Sequence, residues 1–103
     1  MSKLNQRLAK EARKMAMECV ESTAPEFGIG SLDRYGVPCC ALGHLGYRVT
    51  GDAQEMLSSK YCGVSGLLFI VERANDYACD HADRDSRLVF PLLALADELE
   101  ALP

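Results

Sequence analysis

The chain has no tryptophan, and only 7% of its 103 residues are aromatic. No basic segment has aromatics interleaved with it, which is the pattern of a single-strand nucleic-acid face. No Cys-x-x-Cys occurs among the five cysteines, so the commonest zinc-ligand spacing is missing. The apolar run Leu67–Val71 is far too short to span a bilayer, and no uninterrupted apolar stretch marks a signal peptide near the start. Positive charge is not in excess either. The net charge of −4 argues against a general nucleic-acid binder and makes such a partner unlikely. These absences set the expectation of a cytoplasmic protein with no membrane partner, whose odd number of cysteines are reduced thiols rather than a disulfide framework.

What is present describes one folded domain over residues 1–103. Hydrophobic residues make up 49% and charged residues 25%, a balance that excludes intrinsic disorder. A chain of this size has a small core, which a second copy would enlarge. The charge is polarised. Lys3, Arg7, Lys10, Arg13 and Lys14 face Glu11 alone at the start, whereas residues 72–103 carry eight acids against Arg73, Arg84 and Arg87. Either the two ends lie together and compensate, or one of them is offered to a partner.

Apolar residues at three- and four-residue spacing predict a helix over 2–22, with Ser2 as cap and Leu4, Leu8, Ala12, Met15, Ala16, Cys19 and Val20 as its stripe. Residues 23–37, punctuated by Pro25, Gly28, Gly30 and Gly36, read as a long loop folded back over the core. Its Gly-Ile-Gly is no phosphate loop, lacking the Gly-Lys-Ser/Thr ending and a preceding strand. Pro38 suits the first turn of a helix running to Val49 and ending at Gly51. Gly43 and Gly46 on that helix admit a neighbouring helix at close range. A short helix follows over 53–60, with Met56 and Leu57 inward. Residues 67–78 read as a helix with Leu67, Ile70, Val71, Ala74 and Tyr77 inward, because no second strand exists to pair with a strand there. Residues 79–86 read as a polar loop, and the last helix is expected over 87–102 with Pro91 near its first turn. The fold expected is all-α, a compact bundle of four or five helices around the segment 38–49.

Four groups of residues invite a chemical reading. Cys40, His44, Cys79 and His81 have the right types for a metal or small-ligand site, although inert buried thiols explain the same residues and adjacent Cys39 and Cys40 point apart on a helix. Cys40 with His44, or Cys79 with His81, form nucleophile–base pairs only if a third group orients the base, and none is apparent. Asp80, Asp83 and Asp85 lack the glycine and terminal glutamate of a calcium loop, which leaves them as a solvated acidic surface. Asn75 and Asp76 suit a helix end that bonds into its neighbour. Lys3, Arg7, Lys10 and Lys14, spaced by four, three and four, form a basic ridge on the first helix, with no turn-linked second helix to make it a DNA reader.

Cys40-Ala41-Leu42-Gly43 together with Asn75-Asp76 resembles a family of small uncharacterised helical proteins of bacteria and their phages. Members carry an N-terminal helix, a glycine-bearing loop, a Cys-Ala/Leu-Leu-Gly helix start, an apolar helix ending in Asn-Asp and a last leucine-bearing helix. The resemblance covers residues 3 to about 100 of this chain. It departs at Ala74, where a tryptophan often stands, and in the tryptophan-free loop before Cys40. The resemblance implies a compact α fold and a bacterial or phage origin, and brings no activity or cofactor with it. The expectation for function is a non-enzymatic accessory protein of a phage or mobile element. It would bind and inhibit a host protein complex through its charged faces, the basic ridge and the acids Asp80, Asp83 and Asp85. The alternative is the ligand-binding module on Cys40, His44, Cys79 and His81.

Overall fold

The computed structural model describes residues 2–103. It is an all-α bundle with one two-residue hairpin: α1 (Lys3–Glu21), β1 (Asp33–Arg34), β2 (Val37–Pro38), α2 (Ala41–Thr50), two short 3-10 turns (Glu55–Leu57 and Ser59–Val64), α3 (Ser65–Asp76) and α4 (His81–Ala101).

Helix α1 begins where the Ser2 hydroxyl accepts the Asn5 amide, at 3.1 Å. Its buried face is Asn5, Leu8, Ala9, Ala12, Met15, Ala16 and Cys19. Three of those seven are alanines, which lets the leucines of α4 come close. Leu88, Leu92, Leu95 and Leu99 are fully buried against them. The two helices are antiparallel. Arg13 bonds Asp97 at 2.8 Å and also reaches Glu100, while Cys19 lies beside Asp85 and Ser86. The basic start and acidic end of the chain therefore meet at Arg13. Val20, expected on the α1 stripe, is instead 59% exposed, because the stripe turns off the helix face at Cys19.

Several boundaries differ from the sequence reading. Pro38 opens no helix. It pairs with Asp33 across a two-residue ladder, and α2 starts three residues later at Ala41. The turn between the strands is Tyr35-Gly36, with φ of +54° and +83°. Both central residues at positive φ make it a type I′ hairpin turn, and the Asp33 carboxylate braces it by accepting the Gly36 amide at 3.0 Å. The segment 53–60 forms 3-10 turns rather than one helix, and Leu57 points outward. In α3 the buried positions are Val71 and Asn75, while Ile70 and Tyr77 are exposed, so the inward stripe is rotated from the one expected. Val64 precedes its first turn and offers no side-chain cap.

Residues 79–86 are not a loop. Asp80 caps α4 by accepting the Asp83 amide at 2.8 Å, and the helix begins at His81. Acids in a first turn complement the positive helix end, so this polar run is a helix start. Pro91 consequently lies well inside α4.

The glycines of α2 receive neighbours other than those expected. A methyl group at Gly43 would lie 1.9 Å from the Leu32 carbonyl oxygen, and one at Gly46 would lie 2.9 Å from the Glu55 Cβ. Loop backbone and a 3-10 turn, not helices, occupy these notches.

Candidate functional site

Four pieces of the chain meet at one residue, Asn75, which is 1% exposed near the end of α3. Its Oδ1 accepts the Ala41 amide at 3.1 Å, at the first residue of α2. Its Nδ2 donates to the Gly28 carbonyl at 2.7 Å and to Asp76 Oδ1 at 2.8 Å. The same Asp76 oxygen accepts the Gly30 amide at 3.1 Å. The Asn75 carbonyl accepts Arg84 Nε from α4 at 2.7 Å, which places a cation at the negative end of α3. An asparagine is needed here because the site asks one side chain to accept from one backbone and donate to another.

The loop held by this junction forms one wall of a cleft of about 380 Å³. Cys40, Leu42, Met56 and Leu68 give it an apolar floor, with Glu72 and Asp76 on its α3 side. The backbone of the wall is fixed by the Cys39 amide on the Leu32 carbonyl, at 2.9 Å, and the Cys40 amide on the Ser31 carbonyl, at 3.1 Å.

The buried thiols of Cys19 and Cys40 are poor nucleophiles. Cys40 sits at the N-cap of α2, where a thiolate is ordinarily favoured, yet burial raises its pKa and outweighs the facing Gly43 and Leu42 amides. Burial, reinforced by Asp85, pushes Cys19 up to about 12. Among the described residues no three His, Cys, Asp or Glu side chains are grouped to hold a metal, and no side-chain hydrogen bond joins Cys40 to His44 or Cys79 to His81. The quartet Cys40, His44, Cys79 and His81 is therefore not assembled. Cys40 is buried at the α2 start, Cys79 is exposed before α4, and His81 bonds Asp85 at 3.1 Å.

His44 packs its ring edge-on against Phe27, with centroids 5.1 Å apart. Burial lowers its pKa, Arg48 adds to this, and the Cys39 carbonyl opposes both. A lowered histidine stays neutral in the fold while the unfolded chain takes a proton, so stability falls as pH drops below 6.5, its ordinary value. His44→Gln is expected to flatten the stability–pH curve between pH 6.5 and the acid limb. Urea midpoints across that range check it, and an unchanged slope refutes it.

The charged surfaces are less free than their spacing suggests. Lys3, Lys10 and Lys14 are exposed, but the Arg7 guanidinium donates to the Val49 carbonyl at 3.0 Å, where it serves the C-terminal turn of α2. Asp80 is the α4 cap. Asp83 is held below the usual carboxylate range by the Cys79 amide and by Arg87. Asp85 is not a surface acid at all, being 4% exposed, and its Oδ1 lacks a hydrogen-bond partner among the described residues.

Comparison with protein-family models, curated proteins and solved structures yields no match to this chain.

The side chains most suited to contact another molecule escaped the sequence reading. Phe69 and Tyr77 on α3 are 55% and 69% exposed, and Arg73 lies between them, its guanidinium carbon 5.5 and 5.1 Å from their ring centroids. Their spacing of four is visible in the sequence, but there Tyr77 fits the 3.6-residue stripe and Phe69 lies within the apolar run.

Proposed function

We propose that this protein is a non-enzymatic interaction module that binds and blocks a protein complex of a bacterial host through the outer face of α3. The stack of Phe69, Arg73 and Tyr77 is the observation that carries the reading. Aromatic and arginine side chains dominate binding hot spots, and here they stand in the open with Ile70 beside them. The cation–π contacts hold Arg73 in place before any partner arrives, which lowers the ordering cost of association. The raised thiol pKa values of Cys19 and Cys40 weigh against nucleophilic chemistry at neutral pH. The resemblance of the sequence to small phage and bacterial proteins directs the search for the partner to a bacterial lysate.

Immobilised protein, beside a Phe69→Ala/Arg73→Ala/Tyr77→Ala variant, tests this. The three side chains support little of the core, so the variant should keep its helical circular dichroism. The native protein is expected to retain a discrete complex, with each truncation costing about 2 kcal/mol of binding. Retention of the same proteins by both forms, or of none by either, overturns the reading.

A further inference from the structure

We propose that two copies of this chain pair by exchanging hairpin tips, the Tyr35 ring of each entering the cleft of the other. The first observation is Tyr35 itself. Its φ of +54° lies in the left-handed region, which L side chains other than Asn and Asp rarely adopt, and its side chain is fully exposed. A turn of this type is normally built from Asn-Gly or Asp-Gly. Nothing within the fold compensates for a tyrosine there, and strain of this kind points to a function outside the fold.

The second observation is complementarity. Val37 beside the tip is 63% exposed, and the Arg34 side chain makes no hydrogen bond or ion pair among the described residues. The tip is thus aromatic, aliphatic and cationic. The cleft is complementary, with an apolar floor and, at its α3 side, Glu72, whose side chain also has no hydrogen-bond or ion-pair partner among the described residues. Its volume of about 380 Å³ accommodates an aromatic side chain. Leu57, 69% exposed and part of the cleft lining, becomes covered when the cleft is filled.

The third observation is placement. The cleft wall Gly30–Leu32 is the root of the same hairpin, and Gln54 of the cleft donates to the Asp33 carboxylate at the hairpin base. Knob and hole therefore adjoin on one face. A two-fold axis between two hairpins satisfies both insertions at once, so the assembly closes at two copies. Arg34 of each copy then faces Glu72 of the partner subunit. This pairing does not rest on the α3 stack, and either proposal can fail alone.

Sedimentation velocity across a concentration series tests it, with the full chain of 11.3 kDa. The expected result is a monomer–dimer equilibrium. Tyr35→Asn should abolish it while leaving the urea midpoint of the dilute monomer equal or higher, since Asn tolerates the turn. A tyrosine kept for a structural reason predicts the reverse, a lower midpoint. Arg34→Glu and Glu72→Arg should each weaken association by about tenfold, and the double variant should recover most of the loss. A wild type that stays monomeric up to roughly 1 mM overturns the proposal. So does a Tyr35→Asn variant that still pairs, or a double variant no better than either single one.

Discussion

Gly43→Ala is expected to destabilise the fold by about 3 kcal/mol, against the usual direction of a glycine-to-alanine change in a helix. Helix propensity alone favours alanine by about 1 kcal/mol. The added methyl, however, would stand 1.9 Å from the Leu32 carbonyl oxygen and 2.8 Å from its carbonyl carbon. Both are backbone atoms and cannot rotate aside. The same carbonyl accepts the Cys39 amide, so pushing it away also breaks the bond that fixes the cleft wall. A loss of about 3 kcal/mol lowers Tm by roughly 15 °C in a domain of this size. Gly66→Ala is the control, because a methyl group there meets nothing within 4 Å near the start of α3. It should be neutral or slightly stabilising. Calorimetry on the pair decides the matter, and a Gly43→Ala variant that melts with the wild type shows that the helix and loop are not in contact.

Asn75→Ala should cost a similar amount by a different route. It leaves the Ala41 amide and the Gly28 carbonyl without partners, and an unsatisfied buried group costs about 1–3 kcal/mol. Asn75→Asp separates the two halves of the effect. The carboxylate still accepts from Ala41, but it faces the Gly28 carbonyl and Asp76 with no proton to donate. That variant should be at least as unstable as Asn75→Ala at neutral pH. It should regain stability near about pH 4, where a protonated carboxyl can donate. Denaturation of both variants at two pH values is the measurement. Equal, pH-independent losses would mean that only side-chain volume matters at this position.

The helical architecture was legible because α1 repeats its apolar residues at the helical period and no strand pattern is visible in the sequence to pair with the apolar run 67–71. The start of α4 was not. Its capping aspartates and His81 resemble loop composition, and Pro91 drew the expected boundary to the wrong turn. The hairpin escaped for a physical reason. Each strand has two residues, too few for an alternating pattern, and Tyr-Gly is an uncommon type I′ turn. At the site, Asn75 and Asp76 were recognisable as a helix end bonding into a neighbour. Their partners in α2 and the loop lie 34 to 47 positions away, and spacing alone does not reveal such contacts. The quartet of cysteines and histidines failed because residue type says nothing of whether four side chains converge.

The pairing of α1 with α4 bears on how the chain is made. Helix α1, made before α4, buries its alanine-lined face against it, and the loop at Gly28–Gly30 is held by residues 75 and 76 as well as by the Cys39 carbonyl. Until α4 emerges, Leu8, Met15 and the rest of that face lack the cover that its leucines provide. The bundle therefore closes only once α4 has been made. Translation past Leu99 and the waiting time of an exposed first helix then govern how much nascent protein is captured by chaperones.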